Sequence, residues 1–222
     1  MKILIYITGY RHLIEYKYFN NFLRELRIKY LCDIFIYCNN AEINNEIMEY
    51  YRMFEQKNKK IFITTLNGGY RIGGVEAISE GIDMGIFKGY DYVIHLHPDV
   101  FITDDLYLID ILLENKDNDT VFLITKSKPD DDRFFSFDFF IFKPKKLENN
   151  IFKDELYTFM SCPEHYLHDM IMKNEIKYKF IKRFNNNNWY PRRIDENLKL
   201  YHEHDMNNVV NLLKERSLDD TE

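Results

Sequence analysis

The segment His95-Leu96-His97-Pro98-Asp99 ends an apolar run with two imidazoles and a carboxylate. An aspartate at the mouth of a buried strand costs free energy unless its carboxylate has a partner, such as a metal ion or a sugar hydroxyl. His97 and Asp99 are two residues apart, so in an extended strand they face the same side. A nitrogen and an oxygen so placed can share Mn2+ or Mg2+, with diphosphate oxygens completing the shell. The competing reading is structural: Asp99 caps a helix near Asp104, and His97 is an ordinary histidine at a strand end.

Other residues could join such a site. Asn67-Gly68-Gly69-Tyr70-Arg71 with Gly73-Gly74 permits close backbone approach and leads into a helix N-terminus, which favours an anion. Arg71 adds a charge-assisted donor for phosphate. The stretch lacks the Gly-Lys-Ser/Thr ending of a P-loop and is not GxGxxG, so a turn whose glycines serve only geometry explains it equally well. Leu200-Tyr201-His202-Glu203-His204-Asp205 carries two histidines near a strand end, and Arg192-Arg193 could neutralise a diphosphate. Ser136-Phe137-Asp138-Phe139-Phe140 sets a carboxylate inside an aromatic strand, and Pro163-Glu164-His165-Tyr166-Leu167-His168-Asp169 opens a helix with another. For Glu164 the structural alternative is stabilisation of the helix dipole, worth about 0.3–1 kcal/mol. Trp189 and Tyr190 could stack on a sugar face or close the core.

These groups need a frame. Lys2–Ile7, Asp33–Tyr37, Lys60–Thr65 and Asp91–Leu96 are short and β-rich, and read as buried strands. Between them Phe19 to Tyr30, Ile43 to Phe54, and Val75, Ile78, Ile82 and Ile86 follow helical spacing. Right-handed crossovers turn this β-α-β-α-β-α-β order into a parallel, Rossmann-like half-sheet. Ligands bind beyond the carboxyl ends of such strands. Thr8-Gly9-Tyr10-Arg11, Cys38-Asn39-Asn40, Asn67–Gly74 and His97-Pro98-Asp99 all fall on that rim. After Asp99 a short helix over Leu106–Leu113 is expected, then strands over Thr120–Thr125 and Phe137–Phe142. A helix over Glu164–Lys173, strands over Tyr178–Phe184 and Lys199–His204, and a last helix over Asn207–Arg216 complete a mixed sheet with long loops.

The 222 residues suffice for one well-buried α/β domain, 45% hydrophobic and 30% charged. A net charge of -6 argues against a general nucleic-acid binder. Cys32, Cys38 and Cys162 form no CxxC spacing, which argues against a disulfide framework or zinc knuckle and for a reducing compartment. The start MKILIYITGYR reads as a buried strand rather than a signal peptide, and no stretch approaches the roughly 18 apolar residues that span a bilayer. A cytoplasmic protein is expected, with peripheral contact at a membrane surface still open.

The run from Asn67 through Gly73, Ala77, Gly81 and Tyr90 to Asp99-Val100-Phe101 resembles the centre of the GT-A-fold glycosyltransferases. There a helix after the third strand leads to a strand ending in the DxD motif, which binds a divalent cation and, through it, the diphosphate of a nucleotide sugar. His97 stands where the first Asp of that motif would be, and Asp99 matches the second. The resemblance implies a metal-assisted transfer from a nucleoside-diphosphate sugar, UDP-linked, to a hydroxyl of a glycan, lipid-linked or protein acceptor. It implies one domain over residues 1–222, with a nucleotide half over 1–105 and an acceptor half over 106–222. Thr8, Gly9, Tyr10, Arg11, Asn39, Asn67, Arg71 and Gly74 would then hold the nucleotide. His202 or His204 is similar to the late metal ligand, Asp138 looks like the sugar-hydroxyl binder, and Glu164 or Asp169 is similar to the catalytic carboxylate. The rivals are a sugar-nucleotide nucleotidyltransferase and a non-catalytic carbohydrate-binding module.

Overall fold

The computed structural model describes residues 1–9, 31–38, 59–63, 69–102, 104–126, 128, 130–147, 149–153, 162–181, 200–202, 207 and 210–211. β1 (Ile3–Gly9), β2 (Cys32–Cys38), β3 (Lys59–Ile63) and β4 (Tyr92–Leu96) form the parallel half of the sheet. β1, β2 and β4 are near-continuous apolar runs because both of their faces are covered. β6 (Phe122–Lys126), β7 (Phe135–Phe142) and β8 (Tyr178–Phe180) extend the same sheet, giving the order β3-β2-β1-β4-β7-β6-β8. β7 is antiparallel to both β4 and β6, so β6 and β8 run in the direction of β4. The expected second, mixed half is therefore a continuation of the first sheet.

Alternation along the strands sorts two faces. Tyr6, Tyr37, Val93, Phe140 and Phe122 share a core with Val75 and Ile78 of helix α1 (Gly69–Asp83) and with Leu167 and Ile171 of helix α3 (Pro163–Lys173). Tyr6 Oη, buried in that layer, donates to the Ala77 carbonyl at 2.7 Å. On the opposite face Tyr92 Oη reaches the Leu112 carbonyl, 3.2 Å away, in helix α2 (Asp105–Glu114). Asp104 caps α2 by accepting from the amides of Leu106 and Tyr107 at 3.1 and 3.2 Å, so the cap of this helix is Asp104 itself. Lys143 Nζ meets the carbonyls at the other end of α2, 2.8 Å from that of Asn115, as a cation at a helix C-terminus should.

Two differences from expectation concern the rim. α1 begins at Gly69, so Gly73 and Gly74 lie inside the helix rather than in a turn before it. A Cβ on Gly74 would stand 2.6 Å from Phe137 Cε1, and that close packing explains the glycine. Second, Val100–Ile102 forms a short strand, β5, which pairs antiparallel with β9 (Leu200–His202) in a separate two-stranded sheet. The expected helices over Phe19–Tyr30 and Ile43–Phe54 lie outside the described residues, as do Tyr10, Arg11, Asn39, Asn67, His204, Arg192-Arg193 and Trp189-Tyr190.

Candidate active site

β4 ends where Pro98 removes a backbone donor. The Val100 amide donates to the His97 carbonyl at 3.1 Å, closing a four-residue turn with Pro98 and Asp99 at its centre. The strand alternation expected to align His97 with Asp99 therefore does not extend to Asp99. The turn sets their relation instead, and leaves Asp99 only 8% exposed at the carboxyl end of the parallel strands.

A bulge brings Asp138 to the same place. Between β6 and β7 the register moves from Ile124↔Phe140 to Lys126↔Phe135, so β7 uses five residue steps where β6 uses two. The surplus bends β7 at Ser136–Phe139, and the Phe139 amide donates to Ser136 Oγ at 3.4 Å. Bulges of this kind re-aim side chains at strand ends. Here the Asp138 carbonyl accepts from the His97 amide at 2.9 Å. The two side chains follow, with His97 Nδ1 3.8 Å from Asp138 Oδ1 and both partly exposed. That gap is too long for a hydrogen bond.

Beneath them lies His95, fully buried. Its Nε2 is 2.8 Å from Thr8 Oγ1 at the end of β1, and its ring meets those of His97 and Phe137 edge-on at 5.5 and 5.4 Å. Burial, and then the neighbouring His97, push its pKa well below the ordinary 6.5, so it stays neutral. His95 thus ties Thr8, His97 and the bulge into one packed unit, a role that its lone position in an apolar strand did not signal.

The late histidine segment arrives by backbone pairing. β9 runs against β5 with Val100 opposite His202, which places His202 beside the residue that follows Asp99. Among the described residues no three His, Cys, Asp or Glu side chains are grouped closely enough to hold a metal ion. Arg71 lies in the first turn of α1, whose N-terminus faces the same rim.

The N-terminal half of α3 forms a further wall. β8 follows α3 directly and runs parallel to β4, so α3 must start at the carboxyl rim. Glu164, in its first turn, is partly buried and interacts with Cys162, whose thiol is held above its usual range mainly by burial. Asp169 is engaged on both sides: His168 Nδ1 lies 2.8 Å from its Oδ1, and an Arg133 nitrogen 3.6 Å from its Oδ2. Neither His168 nor Arg133 was expected at the site; the sequence signal for His168 is its adjacency to Asp169.

Together these elements define the GT-A-type fold of nucleotide-diphospho-sugar transferases. No protein-family model matches the chain, and no curated protein matches it by sequence. Solved structures do. Mouse xyloside xylosyltransferase 1, apo form, superimposes with a TM-score of 0.58 at 9% identity, covering 92% of this chain and 98% of that one. A nucleotide-diphospho-sugar transferase structure from Desulfovibrio desulfuricans G20 gives 0.54 at 10% identity, over 81% and 79%. A mannosyltransferase from Pyrobaculum calidifontis, solved with GDP-Man and Mn2+, gives 0.50 at 9%, over 66% of this chain and 45% of that one.

Proposed function

We propose that the chain is a glycosyltransferase that moves a sugar from a nucleoside-diphosphate sugar, UDP-linked, to a hydroxyl of a glycan, lipid-linked or protein acceptor. The observation that carries this reading is the meeting of the His97–Asp138 pair, the Asp99 turn and the His202 register at the carboxyl rim of the parallel strands. Thr8 and Gly9 at the end of β1, with Tyr10, Arg11, Asn39, Asn67 and Arg71, would hold the nucleotide, whereas Gly74 is taken up by the packing of α1 on Phe137. The chain would act as one domain, residues 1–105 serving the nucleotide and 106–222 the acceptor.

A buried carboxylate, an imidazole and a further histidine are a mixed oxygen and nitrogen donor set that suits Mn2+ better than Mg2+, which takes oxygen ligands. Asp99, with His97 and either His202 or His204, would hold the ion. Such a cation neutralises charge that develops on the leaving diphosphate. Asp138, lifted by the bulge, would bind hydroxyls of the donor sugar, and Glu164 would face the acceptor. Carboxylates and histidines gathered at strand ends, Asp99 among them buried, favour this reading over a passive carbohydrate-binding module. A nucleotidyltransferase would need a longer basic, glycine-rich loop after β1 than Thr8-Gly9-Tyr10-Arg11 supplies. Among the described residues no helix is long and apolar enough to cross a membrane; the work is proposed to take place in the cytoplasm, at a membrane surface where the acceptor is lipid-linked.

Isothermal calorimetry with UDP-, GDP- and CMP-sugars, with and without Mn2+, tests the reading. The GDP-sugars are included because the Pyrobaculum calidifontis neighbour was solved with GDP-Man. At least one sugar nucleotide should bind, more tightly with Mn2+. Failure of every donor would remove the glycosyltransferase assignment, and binding unchanged by EDTA would remove the metal role of His97 and Asp99.

A further inference from the structure

The wall formed by α3 carries chemistry that the functional reading above leaves unused. A carboxylate can only accept a hydrogen bond, so the 2.8 Å contact between His168 and Asp169 requires the imidazole proton on Nδ1. In the neutral ring, a proton on Nδ1 puts the lone pair on Nε2. Asp169 is itself held from the far side by Arg133. The His168 ring rests edge-on against Phe135, 4.8 Å between centroids, at the first residue of β7 and three residues before Asp138. His165, one helical turn earlier, lies with its Nε2 3.7 Å from Asp131 and its ring edge-on to Phe134. The segment Asp131–Phe135 and the first turns of α3 therefore hold the His168–Asp169 pair at the rim on which Asp138 stands.

We propose that His168 is the group that takes the proton from the acceptor hydroxyl, and that Asp169 is its positioning residue. This rests on the glycosyltransferase reading and deepens it. In the step, the acceptor oxygen bonds to the anomeric carbon of the donor sugar while its proton passes to His168 Nε2. The bond from that carbon to the diphosphate oxygen breaks, and the nucleoside diphosphate leaves with the electron pair. Attack assisted from the face opposite the leaving group inverts the anomeric configuration. Asp169 stabilises the imidazolium that forms, in the manner of an orienting carboxylate beside a general base.

The experiment uses water as the acceptor, so only the donor needs to be supplied. Nucleoside diphosphate release from UDP- and GDP-sugars is followed for the full chain and for His168→Asn, His168→Ala, Asp169→Asn and Asp169→Glu. His168→Asn should slow release about 100-fold or more with the calorimetric Kd for the donor unchanged. Imidazole in the buffer should restore part of the rate to His168→Ala, which a merely structural role would not allow. Asp169→Asn should lower kcat with KM for donor preserved, Asp169→Glu should recover part of it, and NMR should find the released sugar inverted. Release unaffected in His168→Asn, loss matched by loss of donor binding, or retained configuration would each overturn the proposal. A wild-type chain that binds no sugar nucleotide would instead remove the functional reading on which it stands.

Discussion

The His97 amide donates to the Asp138 carbonyl at 2.9 Å, and the two side chains face each other with 3.8 Å between Nδ1 and Oδ1. One backbone bond therefore joins the end of a parallel strand to the bulge of an antiparallel one. It does so at the edge where ligands of open α/β sheets bind. The side chains are too far apart to hydrogen-bond to one another, so it is the backbone bond that fixes their relation.

Asp138→Asn keeps the size of the side chain and leaves the backbone bond to His97 intact. Glycosyl transfer should fall about 100-fold or more, while the melting temperature stays within the scatter expected of a partly exposed polar substitution. Steady-state kinetics paired with thermal unfolding checks this. A drop in melting temperature that matches the drop in rate would show that Asp138 serves the bulge and not the sugar.

Gly74→Ala tests the packing under the site. Alanine gains up to about 1 kcal/mol of helix propensity, but its Cβ would meet Phe137 Cε1 at 2.6 Å. The ring has little room to yield, because it also packs on His95, His97 and Phe140. Overpacking of this kind costs about 1–3 kcal/mol, so net destabilisation of a few degrees is expected. Phe137→Leu in the same chain should recover most of it, as scanning calorimetry would show.

The legible parts of the fold were those written as contiguous patterns. β1, β2 and β4 are apolar runs bounded by polar residues, and α3 announces itself with Pro163 at its start and Leu167, Met170 and Ile171 on its buried face. The parallel half-sheet follows from the order of these elements, and the GT-A-type architecture from the resemblance carried by the run from Asn67 to Phe101. Gly73 and Gly74 read as helix breakers and put the expected start of α1 after them, whereas α1 runs from Gly69 and Gly74 serves its close approach to Phe137. β5 spans three residues and gains its identity only from pairing with β9, whose Leu200–His202 lies within the strand expected over Lys199–His204. Nothing in Phe135–Phe142 indicates which residues the bulge adds, so the approach of Asp138 to His97 could not be read. Asp169 stands out as a carboxylate with His168 beside it in the sequence, yet Arg133 becomes its partner only when α3 folds onto the loop before β7.

Stability should decline on the alkaline side. Burial, with Asp33 and Asp105 nearby, pushes the Cys32 thiol up to about 12 from an ordinary 9.0, and burial raises Tyr92 to about 12 from 10.0. A folded-state pKa above the unfolded one means that the native chain holds more protons between the two values. The stabilisation is complete below about pH 9 and is lost as pH climbs toward 12, with a limiting slope of about 1.4 kcal/mol per pH unit for each group. Urea unfolding at pH 8, 9 and 10 should show the fall, and Cys32→Ala should flatten its first part. An equal slope in that variant would show that Cys32 does not contribute.

Asp99 is the residue whose loss should separate metal binding from the rest of the site. It sits at the centre of the turn closed by the His97 carbonyl and the Val100 amide, 8% exposed, with His202 brought alongside by the Val100↔His202 register. Asp99→Asn removes one negative charge and little volume, so the turn should survive. If Asp99 holds the cation, the variant should lose Mn2+-dependent tightening of donor binding while a metal-free baseline persists, and turnover should fall about 100–1000-fold. His202→Ala should lose part of the same Mn2+ response, and combining the two should cost less than the sum of their separate effects, because both act through one ion. Calorimetric titration of Mn2+ into each variant in the presence of UDP separates these outcomes. Undiminished Mn2+ binding in Asp99→Asn would assign the burial of this carboxylate to the architecture of the turn alone.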